Sequence, residues 1–332
     1  MLTKPLTTAR KTSYALFAAL VVAACWMQLG PVVLAGLFSY MLLDLIDRRL
    51  GTFMPPFAAR TVSVVVFTLT ALSLAWLFGQ FVRLSLQRLP VIIGSVLPTL
   101  DAFAERHGFT LPFDDLQGLR ATFLRTLTEN ARSVTQFSGL LTRDFFQVVV
   151  GIFIAVANFL SSHESDSVGT FYDELGLEFD RRMQLFMAFY EKVLGAQVVI
   201  SLINTAITAL FVAIVDIPYL HFLTLSTFIL GVVPLVGNVA TNAIIVGAAL
   251  TVSPQKGLAA FIFLIVSHKA QYFLNSRIIG STLKTPMWMT LLGLLIGEVV
   301  LGIPGLILAP AVLAYVREEL ALLPVKPSSK AA

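Results

Sequence analysis

The sequence predicts an all-α, polytopic membrane protein with about eight hydrophobic segments. Hydrophobic residues make up 57% of the 332 and charged residues 13%, whereas an ordinary soluble domain carries about 25% charged and about 45–50% apolar residues. The mean hydropathy is +0.85. Apolar runs close to the roughly 20 residues that cross a bilayer recur along the chain. A soluble globular chain and a disordered one are thereby excluded. A β-barrel would alternate apolar and polar residues over about ten positions, and these runs are continuous.

The N-terminus carries Lys4, Arg10 and Lys11 ahead of an apolar block, residues 14–46, broken at Gly30 and Pro31. A second apolar run follows the first at once, which reads as a retained span and not a cleaved signal peptide. Each half of the block is about 16 residues, roughly 24 Å of helix, so it forms two short spans or one membrane hairpin. Asp47, Arg48, Arg49 and Arg60 follow, and with the basic N-terminus they belong on the cytoplasmic side. Residues 61–82 make the clearest single span, uncharged until Arg83.

Residues 83–143 differ in composition. Their apolar positions recur at three and four, first in Leu86, Leu89, Ile93, Leu97, Leu100 and Phe103, then in Leu116, Leu119, Phe123, Leu127, Val134, Phe137 and Leu141. Arg106, His107, Gly108 and Pro112 supply a turn between them. This is an amphipathic helical hairpin, extramembrane or interfacial, on the periplasmic side. Residues 144–160 return through the bilayer. Residues 161–192, acidic early and basic late, carry Tyr172, Leu175, Phe179, Phe186 and Tyr190 as an apolar stripe and read as a cytoplasmic amphipathic helix against the membrane.

Residues 193–317 form the C-terminal core. A span at 193–215 contains Gln197 and Asn204 and stops at Asp216 and Pro218. Residues 219–252 are uncharged and too long to be one straight span, since about 34 residues of helix measure roughly 50 Å against a core of about 30 Å. Gly231, Pro234, Gly237 and Asn238 break this segment at 231–238. A span at 257–275 has His268, Lys269 and Gln271 near its end. A second overlong segment, 286–316, is broken at 302–305 by Gly302, Pro304 and Gly305, with Glu298 just before and Pro310 just after. Residues 318–332 make a cytoplasmic tail, and residues 1–82 an N-terminal set of spans.

The half thus repeats one span followed by one Gly/Pro-interrupted segment, the sequence pointer to a transporter binding site. If both broken segments cross the membrane, the loop with Arg277 and Lys284 is periplasmic. If both are re-entrant hairpins, that loop is cytoplasmic, and Lys269, Arg277, Lys284 and Arg317 obey the positive-inside rule. The charge pattern favours the hairpins, which then form an inverted repeat, with both termini cytoplasmic.

At these residues the chain resembles the AI-2E family of bacterial membrane proteins, the autoinducer-2 exporter-like or PerM-like permeases. The resemblance runs through residues 34–50 with Asp44, Asp47 and Arg48, and is strongest from Ile217 to Tyr315. It rests on Ile217, Pro218 and Tyr219; on Val233, Pro234, Leu235, Val236 and Gly237; on Arg277, Ile278, Ile279, Gly280 and Ser281 with Thr285 and Pro286; and on Leu301, Gly302, Ile303, Pro304, Gly305 and Leu306 with Ala309 and Pro310. Ser276, Thr285, Asn238 and Glu298 depart from the family's pattern. The resemblance implies a multi-pass inner-membrane permease and a pentameric homo-oligomer. The substrates it suggests are autoinducer-2, other small metabolites, or sodium or lithium ions exchanged for protons.

The candidate pathway residues are Pro234, Gly237, Asn238, Asn242, His268, Gln271, Glu298, Gly302, Pro304, Gly305 and Asn204. Pro234, Gly237 and Asn238 make an unwound tip whose backbone groups and amide meet substrate, or a kink packed against neighbours. Asn242 lies one turn past Asn238, on the same face. Gly302, Pro304 and Gly305 are the symmetric tip. Glu298 is an intramembrane carboxylate, a functional group by default, or a residue snorkelling or paired to Lys269 or Lys284. His268 is a candidate proton-carrying group, or it marks a span end with Lys269 and Gln271. Asn204 faces the cavity or glues helices.

The lone Cys25 excludes an intrachain disulfide, and four dispersed histidines give no zinc spacing. The net charge of +4 is explained by basic loop ends and not by nucleic-acid binding. No protease, hydrolase or nucleotide-binding motif is present, so the chain reads as no enzyme, with no cofactor, and a proton or sodium ion as the candidate coupling ion. The expected function is a secondary exporter of a small polar metabolite or signal molecule. The alternatives are a sodium or lithium/proton antiporter using Glu298 or His268, and a non-transporting membrane scaffold.

Overall fold

A computed structural model describes residues 7–107, 138–161, 169–233, 236–278 and 286–321. All regular structure among the described residues is helical: α1 (Thr8–Trp26), α2 (Gly30–Leu50), α3 (Pro56–His107), α4 (Ser138–Leu160), α5 (Phe171–Val215), α6 (Leu220–Gly231), α7 (Val236–Leu250), α8 (Pro254–Ile278), α9 (Met287–Leu301) and α10 (Ile303–Ala321). Gly30–Leu50, Pro56–Val96, Arg143–Leu160 and Phe171–Val215 are long and apolar enough to cross a membrane. The polytopic helical class follows directly from the composition.

Local chemistry sets several helix ends. Thr7 caps α1, its hydroxyl accepting the Arg10 N–H at 3.3 Å. At the other end of α1, the Leu29 N–H donates to the Ala24 carbonyl and the Gln28 N–H to the Cys25 carbonyl, with Gln28 in the left-handed region at φ 52°. That is a Schellman turn. It is followed by Gly30 and Pro31, which open α2 with a pre-set φ. The break in the first apolar block is therefore a helix–turn–helix. The same turn closes α5: Ile217 N–H reaches the Val212 carbonyl, Asp216 N–H the Ala213 carbonyl, and Asp216 has φ 54°. Lys256 reinforces it, its ammonium 2.6 Å from the Asp216 carbonyl oxygen and 3.4 Å from the carboxylate.

Two helices run further than the charge pattern alone implied. The span expected at 61–82 continues past Arg83, through Pro90 and Pro98, to His107 in one 52-residue helix. The turn and second arm expected after it lie mostly at 108–137, outside the described residues. Likewise 171–192 and the span at 193–215 form a single 45-residue helix, α5. In its charged half, Phe179 packs against Phe17 with centroids 6.1 Å apart, Phe186 meets Tyr315 edge to face at 5.8 Å, and Tyr190 is fully buried. That stripe faces other helices, while Tyr172 stays exposed.

The chain packs as two units. The first comprises residues up to Phe67, Asp144–Leu194, and Leu283 onward. Within it, α2 and α4 meet backbone to backbone: a Cβ on Gly151 would strike the Val32 carbonyl and lie 3.0 Å from the Gly36 nitrogen. Such close approach of small residues is how helices associate where lipid removes the hydrophobic driving force. Arms α9 and α10 pack antiparallel about Gly302. Gly297 lies against Gly305 and Ala309, and Gly293 against Leu313.

The second unit comprises Thr68–Arg143 and Gly195–Thr282. Its core gathers Ile92 of α3, Val212 of α5, Phe222 and Leu223 of α6, Ile245, Ala248 and Ala249 of α7, and Ala260 of α8, with Ile217 of the connecting turn. Leu84, Leu89 and Val96 pack against that core. Of the apolar face read from residues 83–107, Leu89 packs here and Leu86 is exposed, and the buried residue is Ile92 in place of Ile93; the side chains of Leu97, Leu100 and Phe103 lie outside the described residues. Within this unit α6 and α7 pack along one another as a second hairpin.

Gly302 caps α9 at φ 65°, ψ −142°, a region essentially reserved for glycine. Gly302→Ala should therefore cost about 1–3 kcal/mol. Gly305→Val, which forces the arms apart, should cost more. Gly79→Ala is the control, because a Cβ there meets nothing within 4 Å. Thermal unfolding of the purified variants in detergent measures all three, and a Gly302→Ala curve superimposed on the parent's would refute the assignment.

Candidate functional site: two broken helices and their polar supports

A helix that stops inside an apolar segment leaves its last carbonyls without partners, and lipid supplies none. At the C-terminus of α6 the protein supplies them from α5. Gln197 Nε2 donates to the Gly231 carbonyl at 2.9 Å, and Ser201 Oγ donates to the Phe228 carbonyl at 2.7 Å. Gln197 and Ser201 are buried, at 7% and 1% exposure. Gly231 is small enough to admit this support, since a Cβ there would lie 2.7 Å from Ser201 Oγ. Across the break Gly237 is buried against the Leu230 carbonyl, with no room for a side chain. Its own carbonyl accepts the Thr241 hydroxyl at 2.8 Å.

These contacts belong to a longer feature. Gln197, Ser201, Asn204 and Thr208 are all buried and follow one another at intervals of about four, three and four, the repeat of one helix face. Asn204 Oδ1 accepts the Ser267 hydroxyl of α8 at 3.2 Å. The α5 span thus carries a buried polar stripe bonded to both α6 and α8. Gln197 and Asn204 were apparent from sequence as polar residues in a span. Ser201, Thr208 and Ser267 were not, although the 197/201/204/208 spacing was the available signal. Ser226 is fully buried in the same unit, its hydroxyl without a partner among the described residues.

The remaining candidates of this unit are placed differently. Asn238 and Asn242 sit half-buried on successive turns of α7. Among the described residues neither side-chain amide has a hydrogen-bond partner. His268 and Lys269 are exposed on α8, while their neighbour Ser267 makes the internal contact. Gln271 lies on α8 with its side chain outside the described residues, and Pro234 is outside them altogether.

The second broken segment solves the helix-end problem with the backbone. Gly302 N–H donates to the Glu298 carbonyl at 2.8 Å, and Leu306 N–H reaches back to the Gly302 carbonyl at 3.2 Å, so α10 starts at once. The Glu298 carboxylate is exposed on α9 and makes no ion pair among the described residues. It stands among the exposed apolar residues Leu295, Ile296 and Val299. Pro304 is half-buried and Gly305 buried. The tip rests on Gly30: a Cβ there would lie 3.1 Å from both the Leu301 carbonyl oxygen and Pro304 Cβ. No group of His, Cys, Asp and Glu able to hold a metal ion occurs among the described residues.

Removing a side-chain donor from a buried carbonyl costs about 1–3 kcal/mol. Gln197→Leu and Ser201→Ala should each lower stability by that amount. They should also speed amide exchange in residues 228–233, read by mass spectrometry. Unchanged exchange in both variants would show that these bonds do not hold the end of α6.

The chain was compared with known proteins. The family model described as AI-2E family transporter matches residues 13–323, which include both hairpins and every helix from α2 onward. A curated relative, "Putative transport protein YdbI" of Bacillus subtilis (strain 168), is 26% identical over 169 residues. That alignment covers 50% of this chain and 47% of the relative, so the chain spans about half of the relative's length. Membrane-length apolar helices, two broken helical segments and a family match across nearly the whole chain converge on one conclusion: this protein belongs to the AI-2E family of transporters.

Proposed function

We propose that the chain is a secondary permease that exports a small polar, autoinducer-2-like metabolite or signal molecule across the bacterial inner membrane, with the two broken segments as its gates. The observation that carries this reading is the buried stripe Gln197, Ser201, Asn204 and Thr208. It places polar groups in an apolar span directly against a broken helix. Asn238 and Asn242 then offer amides to a polar solute from the adjoining arm. Three of the four arms, of 12, 15 and 15 residues, measure roughly 18 to 22 Å, short of a core of about 30 Å, which supports re-entrant hairpins, while the 19 residues of α10 reach roughly 28 Å. In this reading the termini are cytoplasmic, and the resemblance adds a homo-oligomer, a pentamer. The sequence carries no nucleotide-binding motif, so a gradient or facilitation drives the flux.

A second reading follows from Glu298. A carboxylate exposed among apolar side chains in a membrane helix is expensive unless it meets water, an ion or a partner, and it would suit a sodium or lithium/proton antiporter, alone or with His268.

Two measurements test these readings. The purified chain in liposomes loaded with autoinducer-2 should release it, and Asn238→Leu should slow release about tenfold, the effect of one lost polar contact. Glu298→Gln should leave release unchanged. Sodium-driven proton flux that disappears in Glu298→Gln would favour the antiporter, and no flux of either kind would refute both. Separately, Ser281→Cys in a Cys25→Ser background should react with an impermeant maleimide from the cytoplasmic face. Labelling only from outside would exclude re-entrant hairpins.

A further inference from the structure

The second hairpin is held at its far end by a buried cluster that the transport reading does not use. Arg182 of α5 is 2% exposed. Its Nη1 donates to the Glu178 carbonyl oxygen at 2.5 Å and to Glu178 Oε2 at 3.0 Å. Its Nη2 reaches the Arg10 carbonyl at 3.5 Å. The guanidinium lies over an aromatic partner, its Cζ 3.9 Å from the centroid of the Tyr14 ring. The Tyr14 hydroxyl donates to Glu319 Oε2 at 2.6 Å and accepts from Arg10 Nη2 at 3.4 Å. Glu319 is in the last turns of α10, and Tyr315, one turn earlier, packs on Phe17 at 5.4 Å and on Phe186 at 5.8 Å.

Two segments remote in sequence therefore converge on the return arm of the hairpin, α10: α1 through Tyr14 and Phe17, and the charged half of α5 through Phe186, which meet Tyr315 and Glu319, while Arg10, Glu178 and Arg182 tie the two segments to each other. The two ends of the hairpin are held by different forces. At the tip, Gly30 and Pro304 touch through apolar and backbone atoms. At the far end the contact is polar and directional. Moving α10 away separates Tyr14 from Glu319 and Tyr315 from Phe17 and Phe186, and leaves the Tyr14 ring on Arg182. The cluster is also incompletely satisfied. The Nε atoms of both Arg10 and Arg182 are buried without a hydrogen-bond partner among the described residues. Fully satisfied polar networks rigidify a core, whereas leftover buried donors are a reservoir of strain.

We propose that Arg182, Tyr14 and Glu319 form a latch that holds the return arm of the second hairpin in one of two positions, and that its release accompanies movement of the hairpin tip. The latch rests on the reading of the hairpin as a moving gate and names how that gate is restrained. Arg182 and Tyr14 are positioning residues. They touch no transported solute and act through Glu319 on α10.

The test uses the full-length chain in lipid nanodiscs, with Cys25→Ser, Gln28→Cys and Ile303→Cys carrying spin labels on the turn before Gly30 and on the tip. The parent should show one dominant label separation. Tyr14→Phe and Glu319→Gln should each raise the population of a second, longer separation roughly tenfold, as expected for one charge-assisted hydrogen bond. The double variant should go no further, because both changes remove the same contact. Arg182→Lys keeps the charge but loses the planar face over Tyr14, and should shift the population in the same direction. Unaltered label separations in variants that insert normally, with faster amide exchange confined to residues 311–321, would overturn the latch and leave a local packing role. A shifted separation with autoinducer-2 release unchanged would keep the latch and remove the gate. Unshifted separations with release that still depends on Asn238 would do the reverse.

Discussion

Every helix that ends within an apolar segment must find partners for its last carbonyl groups inside the protein, and both halves of this fold are arranged around that requirement. In the α6–α7 hairpin, Gln197 and Ser201 donate side-chain bonds to the carbonyls of Gly231 and Phe228. Both donors are buried, so the support is available only because α5 lies directly against the end of α6. In the α9–α10 hairpin the chain reverses at Gly302, whose N–H returns to the Glu298 carbonyl, and the next helix begins immediately. One hairpin draws its donors from a third helix. The other is tight and needs a glycine. Superficially similar Gly/Pro interruptions thus reach polar satisfaction by different routes.

A second theme is contact through missing side chains. Gly297 meets Gly305 across the second hairpin, Gly151 meets Gly36 between α2 and α4, and Gly237 sits on the Leu230 carbonyl within the first hairpin. Between helices in lipid, burial of apolar surface gives little net attraction, and close backbone packing takes its place. The many large apolar side chains left exposed, among them Leu20, Trp76, Phe153 and Ile214, are what a helical bundle in hydrocarbon presents outward. The low overall charge and the glycine contacts are two consequences of one solvent.

Much of the architecture was legible in sequence because the bilayer constrains composition so strongly. The break at Gly30 and Pro31 and both interrupted C-terminal segments followed from hydropathy and Gly/Pro punctuation, and the family from its resemblance at residues such as Pro218, Pro234 and Gly302. Boundaries within long helices were not legible. Arg83 and the charged run before Val193 look like ends of spans, yet α3 and α5 continue through them. A helix carries charge without interruption wherever tertiary neighbours cover its apolar face, as Phe17 and Tyr315 do around the charged half of α5. The polar candidates were legible one at a time. Asn204 and Gln197 stood out, but their bonds to Ser267 and Gly231 did not, because a residue's partner lies on another helix at no fixed separation.

By itself the sequence determined the solvent, the helical class and the places where helices must break, each of which depends on composition or on backbone chemistry local to a few residues. The family was legible as a resemblance at specific motif residues. Only the tertiary structure decided which polar side chains answer the broken helices: Gly231 and Phe228 are answered, while the amides of Asn238 and Asn242 have no partner among the described residues. It alone revealed that Arg182, Tyr14 and Glu319, 305 positions apart at the extremes of their hydrogen bond, form one buried cluster. The physical reason is the same in each case: a buried polar group is stable only with its partners, and partners are chosen in space.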